Sequence, residues 1–510
     1  MKNMKTDNLQ NNKQHLLTKS SVIRLSLLML FSGLIGATIL FGRGFISGTG
    51  EVVSPETTAG VVLVIGLLLL IFYKDLKRYT PTIEKDYKTI ILVGILLTAN
   101  FILGEVFYFI FKLFTLWLGN IDPMLPIYVI PLATGSMLAA LLIDIHTAIL
   151  LTIVSSLIAG LWLNDPVYPI FNFAAGITAA FGVIRCKRRS AIWRGGLYVS
   201  MVSVFTSIIL ILYRGQLPGP ETMVIIGFSF LNGMLVAILV SALLPVGEKF
   251  FKLLTDISLL ELLDLNQPLL QELLAEAPST YHHSIVVGNL VESAAEAVGV
   301  NPLMARVSAY YHDIGKIKMP EYFIENQTGL VSRHENMSPR MSALVLISHV
   351  KEGVELAKKY NLPKAIIDII QQHHGTSIQT YFWQKAKELH EADKTSPLAA
   401  EDDFRYPGPK PKTNVAALIH MADAVEAASR TLTKPTPEKI SALIDRIVNN
   451  RIIDGQLDEC ELTMKDIREI KTNFVFILSS MFHKRINYPG FEIEDEDTDK
   501  KPTAVPEVRP

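Results

Sequence analysis

The sequence predicts an all-α chain in two parts: a polytopic helical membrane domain of about eight spans, then a cytoplasmic all-helical domain. Three observations predict this. The 510 residues are 49% hydrophobic and only 19% charged, against about 25% charged in ordinary soluble domains, and the mean hydropathy is +0.32. The deficit of charge is local, because 24 of the 226 positions in 22–247 are charged against 73 of the other 284. Past that region apolar residues recur at helical spacing, and no stretch alternates with period two for long enough to build a sheet.

The membrane domain, 22–247, follows a cytoplasmic N-terminal segment, 1–21. Crossing the hydrocarbon takes about 20 apolar residues in a helix, and such runs fall at 22–42, 58–73, 89–111, 124–143, 146–163, 168–184, 196–213 and 222–245. The first reads as a span rather than a cleaved signal, being long for a signal core and lacking a small-x-small cleavage site. Lysine and arginine collect before the first span, between the second and third (Lys74, Lys77, Arg78, Lys85, Lys88) and between the sixth and seventh (Arg185, Lys187, Arg188, Arg189, Arg194). Basic residues stay on the cytoplasmic side, so both termini are expected there. Glu105 is the one fully embedded acid, and an intramembrane carboxylate is costly enough to be a functional candidate; a structural hydrogen bond to a neighbouring helix is the equal alternative. No periodic run of carboxylates or arginines suggests a pump or voltage sensor, so this half reads as anchor and sensor rather than transporter.

Residues 248–277 read as an amphipathic connector helix, with Phe250, Phe251, Leu254, Ile257, Leu260 and Leu263 on one stripe. Such a stripe is either core packing or the seam of a homodimer. Helices are then expected in the soluble domain, 278–486, at 279–299, 302–316, 338–360, 363–374, 414–430, 437–450 and 464–484. A long polar loop, 388–413, interrupts them; a loop of that length is functional or disordered. The acidic, proline-containing end, 487–510, reads as a disordered tail.

A net charge of -1 argues against a nucleic acid polymer as partner. Two cysteines, Cys186 and Cys460, support neither a disulfide framework nor a cysteine zinc site. Histidine carries the chemistry instead: nine of the 12 lie between His282 and His420. His312-Asp313 closes one expected helix, where space opens for a cluster, and a carboxylate can bridge two cations while imidazoles hold each from outside. His283 lies one turn into the preceding helix, with His282 pointing elsewhere. His349 sits in an apolar helix, and His373-His374 end another before Gly375, where the negative end of the helix favours cations. Asp423 interrupts an apolar run, and a buried carboxylate needs a metal or a base; the alternatives are an ion pair with Arg430 or a protonated carboxyl in a hydrogen bond.

These residues in this order resemble the HD-domain metal-dependent phosphohydrolases, with His283, His312-Asp313 and Asp423 as the core pattern and His349, His373 and His374 matching the binuclear branch. The flanking segments Thr280-Tyr281-His282-His283-Ser284, Tyr310-Tyr311-His312-Asp313-Ile314-Gly315-Lys316 and Asp403-Phe404-Arg405-Tyr406-Pro407-Gly408-Pro409-Lys410 are similar to the membrane-anchored bacterial members of the PgpH type. That resemblance implies a plasma-membrane enzyme hydrolysing cyclic di-AMP to linear pApA. Members usually carry a large extracytoplasmic domain after the first span, in place of which this chain has only 42–57. The cyclic di-GMP branch follows its His-His pair with Gly-Tyr-Pro, and here the sequence is Gly375-Thr376-Ser377. The implied cofactors are two divalent ions, manganese or iron ahead of zinc. One is expected on His283, His312, Asp313 and Asp423, the other on Asp313, His349 and His373, with His374 a ligand or a phosphate contact. Lys316 is expected to contact phosphate as a point charge, and Arg405 and Tyr406 to grip the second phosphate or stack on a base. A rival reading, a nucleotide-binding receptor that signals through the same domain, would not need all seven ligands.

Overall fold

Backbone groups in a bilayer must be satisfied within the protein, and the first half of the chain answers with helices and with side chains that mend the breaks between them. The structure, a computed structural model, describes residues 22–42, 54–79, 87–119, 122, 124–184, 186, 188–215, 217, 219–327, 332–392, 400–433 and 435–482. The expected segment 1–21, most of the 42–57 connection and the expected tail 487–510 lie outside the described residues. Contacts divide the chain into two units, Met1–Asp264 and Leu265–Pro510, and each is described by itself.

The first unit holds α1 (Val22–Gly42), α2 (Pro55–Tyr79), α3 (Lys88–Leu118), α4 (Ala133–Leu142), α5 (Ile145–Leu163), α6 (Tyr168–Gly182), α7 (Ser190–Tyr213), α8 (Pro220–Phe251) and α9 (Asp256–Leu262). Seven segments among the described residues are long and apolar enough to cross a membrane, against the eight expected. The one that falls short is 168–184: α6 has 15 residues and rises about 22 Å, less than the roughly 30 Å of hydrocarbon. It packs between α5 and α7, and its Asn172 donates to Ser155 and Ser156 hydroxyls of α5.

The expected span 124–143 is broken, with a 3-10 turn over Leu125–Val129 preceding α4. Proline has no N–H and breaks the helical ladder, and Pro126 and Pro131 sit in this stretch. Neighbouring amides satisfy what is freed. Asn100 donates to the Leu132 carbonyl at 2.7 Å and accepts from Gly135 N–H at 3.2 Å, and Asn232 donates to the Ile130 carbonyl at 2.6 Å. Helices α7 and α8 close on small residues: a Cβ at Gly233 would collide with the Gly196 carbonyl and the Ser200 backbone.

The expected connector helix 248–277 is not continuous. α8 ends where Lys252 turns left-handed (φ 54°), Thr255 caps α9 through its hydroxyl, and Pro268 starts α10 (Pro268–Glu276), a residue that suits a first helical turn and no interior position. Arg189 grips Glu261 of α9 through Nε–Oε1 at 2.7 Å, and Glu248 accepts from Thr255 and Ser258 at 2.5 and 2.9 Å.

The second unit holds α10, then α11 (Pro278–Ala297), α12 (Pro302–Tyr311), α13 (Pro339–Lys359), α14 (Lys364–Gln372), α15 (Thr380–Ala392), α16 (Asn414–Ser429), α17 (Pro437–Ile453) and α18 (Met464–Met481). Asn301, Ser338, Thr413, Thr436 and Thr463 cap α12, α13, α16, α17 and α18 through side-chain oxygens, each satisfying an end donor the helix leaves open. Val287, Leu290, Leu418, Ile419, Ile444 and Phe474 share the main core. Helix α15 was not expected and takes in 388–392 of the expected loop 388–413, of which 393–399 lie outside the described residues. Phe382 of α15 packs with Ala343 and Phe404 in a satellite core. The chain returns to it by Gln379 N–H on the Phe404 carbonyl at 2.8 Å and Tyr406 N–H on the Ser377 carbonyl at 3.0 Å.

Candidate metal centre

Five elements converge on Asp313. Helix α12 stops at Tyr311, and the chain tightens into a 3-10 turn over Ile314–Lys318. Gly315 explains the tightness: a Cβ there would overlap the His349 carbonyl and the Gly353 backbone, so this turn lies directly on α13 at His349. The carboxylate of Asp313 thus stands between two groups of rings. Its Oδ2 is 3.3 Å from His312 Nε2 and 3.8 Å from His283 Nε2, and its Oδ1 is 3.3 Å from His349 Nε2 and 3.6 Å from His373 Nε2. Asp423 of α16 closes the first group, with Oδ1 3.0 Å from His283 Nε2 and 3.9 Å from His312 Nε2, and its Oδ2 is 3.5 Å from His374 Nδ1.

Two sets of four donors result, His283, His312, Asp313, Asp423 and Asp313, His349, His373, His374, each with ligand atoms within 4.8 Å of one another. All are buried except half-buried His374. Seven residues expected from sequence are therefore brought together, and Asp313 is common to both sets.

Hydrogen bonds fix the rings. His312, His349 and His373 each direct Nδ1 at a carbonyl three residues back, that of Ala309 at 2.6 Å, Leu346 at 2.5 Å and Ile370 at 2.7 Å. A carbonyl only accepts, so Nδ1 carries a proton and Nε2 is the atom turned to the cluster, the one whose lone pair an ion would take. For His283 the outer partner is Glu426, with Nδ1 2.5 Å from Oε2. Arg430 in turn donates to Glu426 Oε1 at 2.6 and 2.8 Å, so the alternative of an Arg430 pair with Asp423 does not hold. His420 Nδ1 donates to the His373 carbonyl at 2.7 Å. Glu426 and His420 were missed from sequence. His420, Asp423 and Glu426 are spaced three apart, which puts them on one face of a helix, and that spacing was the available signal.

Burial would raise the Asp313 carboxyl, but Lys316 and His312 outweigh it and hold it well below the usual carboxylate range. Asp423 is likewise held down against burial by His283 and His312. Burial would lower the His312 pKa, yet Asp313 and Asp423 push it up to about 10. Burial drives His349 down to about 4 against the attraction of Asp313, and burial with His373 lowers His374. The residues fit divalent ions by an observation independent of charge. His312 Nε2 and both Asp313 oxygens are buried without a well-directed hydrogen bond, although Lys316 stands near as a charge. Donors made only of imidazole and carboxylate suit manganese, iron or zinc.

The expected substrate residues are placed less uniformly. Lys316 Nζ is 2.7 Å from Asp313 Oδ2 and 2.7 Å from Glu325 Oε1. The Tyr406 ring lies 4.2 Å from that of His374 and 6.1 Å from that of His349, against the second set. Arg405 turns to Asp454 at 3.1 Å, Glu401 at 2.5 Å and the Thr376 carbonyl at 2.8 Å, so its donors are engaged by the protein.

Comparison with known proteins agrees in both units. Residues 56–255 match the family described as 7TM receptor with intracellular HD hydrolase, and residues 280–428 match the HD domain. The chain is 37% identical over 439 residues to the cyclic-di-AMP phosphodiesterase PgpH of Bacillus subtilis, covering 84% of this chain and 60% of that protein. It is 36% identical over 434 residues to PgpH of Listeria monocytogenes, covering 84% and 58%. It thus spans about three fifths of the length of these curated relatives. A crystal structure of the L. monocytogenes PgpH HD domain in complex with cyclic-di-AMP is 44% identical, covering 42% of this chain and 99% of that one, with a TM-score of 0.41. A match to the 7TM family over 56–255, followed by an HD-domain match over 280–428 that contains the Asp313 cluster, makes the chain similar, over 84% of its length, to the membrane-anchored HD-domain proteins of the PgpH type.

Proposed function

We propose that the protein is a membrane-bound, metal-dependent phosphodiesterase that hydrolyses cyclic di-AMP to linear 5'-pApA, with its HD domain in the cytoplasm of a bacterial cell. The observation that carries this reading is the sharing of Asp313 between two four-residue ligand sets. The identity to relatives named cyclic-di-AMP phosphodiesterases supports the substrate, and the basic residues beside alternate spans support the orientation. The membrane domain would be 22–247, the connector 248–277 and the hydrolase domain 278–486, with a homodimer formed through 248–277.

His283, His312, Asp313 and Asp423 would hold one ion and Asp313, His349, His373 and His374 the other, manganese or iron. Bound there, the pair supplies water acidification and charge for the phosphoryl oxygens. The chain's own residues do the rest. Asp313 fixes the two sets against each other through its two oxygens, and the Nδ1 hydrogen bonds keep three rings from turning. Lys316, anchored on Glu325, brings a positive charge to the edge of the cluster, where a phosphate would meet it. Tyr406 offers an aromatic surface beside His374. The test is product analysis with cyclic di-AMP, cyclic di-GMP and guanosine tetraphosphate side by side on one manganese-loaded preparation. Linear pApA as the dominant product is expected. Tight cyclic di-AMP binding with no product would favour the receptor reading, and faster turnover of either other nucleotide would overturn the substrate.

A further inference from the structure

Glu105 is the acid that the sequence places inside the bilayer and that the metal chemistry leaves unused. In the structure it lines a cavity of about 490 Å³ between α1, α3 and α5, whose apolar walls include Phe41, Ile102, Val106, Phe109 and Trp162. Its Oε1 is buried beside the Gly42 backbone without a well-directed hydrogen bond. Gly42, the last described residue of α1, makes the approach possible: a Cβ there would overlap the Glu105 carboxylate and stand 2.7 Å from the Trp162 indole nitrogen. Phe41, Ile102, Val106 and Phe109 are all exposed on the outer face of the bundle, so the cavity is reached from the lipid side.

The electrostatics of this space favour one kind of guest. A carboxylate in an apolar cavity repels anions. A neutral tail would cover the walls and leave the carboxylate oxygen bare. A cation answers both. Of the two lysines on α3, Lys88 and Lys112, the nearer to Glu105 is Lys112, seven positions and about 10 Å along the helix, with its ammonium 5.9 Å above the Tyr108 ring.

We propose that this cavity binds a single-chain cationic amphiphile, its alkylammonium group on Glu105 and its chain along Ile102, Val106 and Phe109. The membrane domain is then a receptor for a lipid-borne amine. The test uses the full chain in phosphatidylcholine nanodiscs, with binding of tritiated dodecylamine read by scintillation proximity and tritiated dodecanol and empty nanodiscs as references. Saturable amine binding above both references is expected. Glu105→Gln, close in size, should weaken it about tenfold or more, the loss of a charge-assisted hydrogen bond. Val106→Trp, which fills the cavity without touching the carboxylate, should abolish it. Equal binding of amine and alcohol, or amine binding unchanged in both variants, would overturn the proposal. So would saturable binding that emerges only in Arg43→Gln, because the chain's own cation would then be the partner of Glu105.

Discussion

His283 Nδ1 lies 2.5 Å from Glu426 Oε2, so the ring that faces Asp423 with one nitrogen is oriented by a carboxylate through the other. Outer partners of this kind set ring orientation and ligand basicity, and losing one costs about 10–100-fold in metal affinity. Glu426→Gln keeps the shape and removes the charge. It should therefore raise the manganese concentration for half-saturation by about that factor, with activity recovered at high metal. A metal titration followed by activity and by calorimetry checks it.

Asp313 belongs to both ligand sets, whereas His283 belongs to one and His349 to the other. Asp313→Asn should leave the purified protein with little of either ion, while His283→Ala and His349→Ala should each lose about one. Elemental analysis of the three variants reads this directly. Turnover in Asp313→Asn should fall by at least about 10²–10³-fold, as when a group stabilising developing charge is removed.

The metal-free protein should be squeezed from both ends of the pH scale. His349 and His420 have folded pKa values pushed down to about 4, the first by burial against Asp313, the second by burial and Arg451. Unfolded, both titrate near 6.5. Their contribution is present above 6.5 and is lost as pH falls through 4. His312 has the opposite sign: against burial, Asp313 and Asp423 hold it up at about 10, so its contribution is full below 6.5 and is lost as pH rises through 10. Melting of chelated protein should be best near neutrality. Because an ion needs the His312 lone pair, metal binding at pH 7–8 should release a proton, measurable by calorimetry in buffers of different ionisation enthalpy.

The ligand set was legible because each member breaks a local pattern. His312-Asp313 ends a helix, His373-His374 precede a glycine, and Asp423 interrupts an apolar run. What escaped was either spacing left unread or packing that only tertiary structure decides. His420 and Glu426 flank Asp423 at three-residue steps, yet each resembles an ordinary helical residue when read alone. Helix α15 hid in a polar stretch because only Phe382 of its residues is buried. The short α6 read as a span because it is as apolar as its neighbours, and what sets it apart is its length of 15 residues, which composition does not fix. The connector read as one helix because its apolar stripe continues through Lys252 and Thr255, where the backbone turns.

Arg405 was expected at the substrate, and the structure gives its guanidinium to Glu401, Asp454 and the Thr376 carbonyl. These bonds tie the turn after His373-His374 to the end of α17, so Arg405 should act on the site through the position of Tyr406. Its partners are partly exposed, so the pairs contribute about 1 kcal/mol rather than the several of a buried pair, and Arg405→Ala should lower the melting temperature by about 2–4 °C with metal content unchanged. Asp454→Asn separates the two roles. If Arg405 fastens the turn, Asp454→Asn raises KM for cyclic di-AMP in the same direction as Arg405→Ala, since both release the same tie. If Arg405 grips a phosphate, freeing it from Asp454 leaves KM unchanged or lowers it. Steady-state kinetics of the two single variants and the double variant should show a shared, non-additive rise, and a fall in KM for Asp454→Asn would return Arg405 to the substrate.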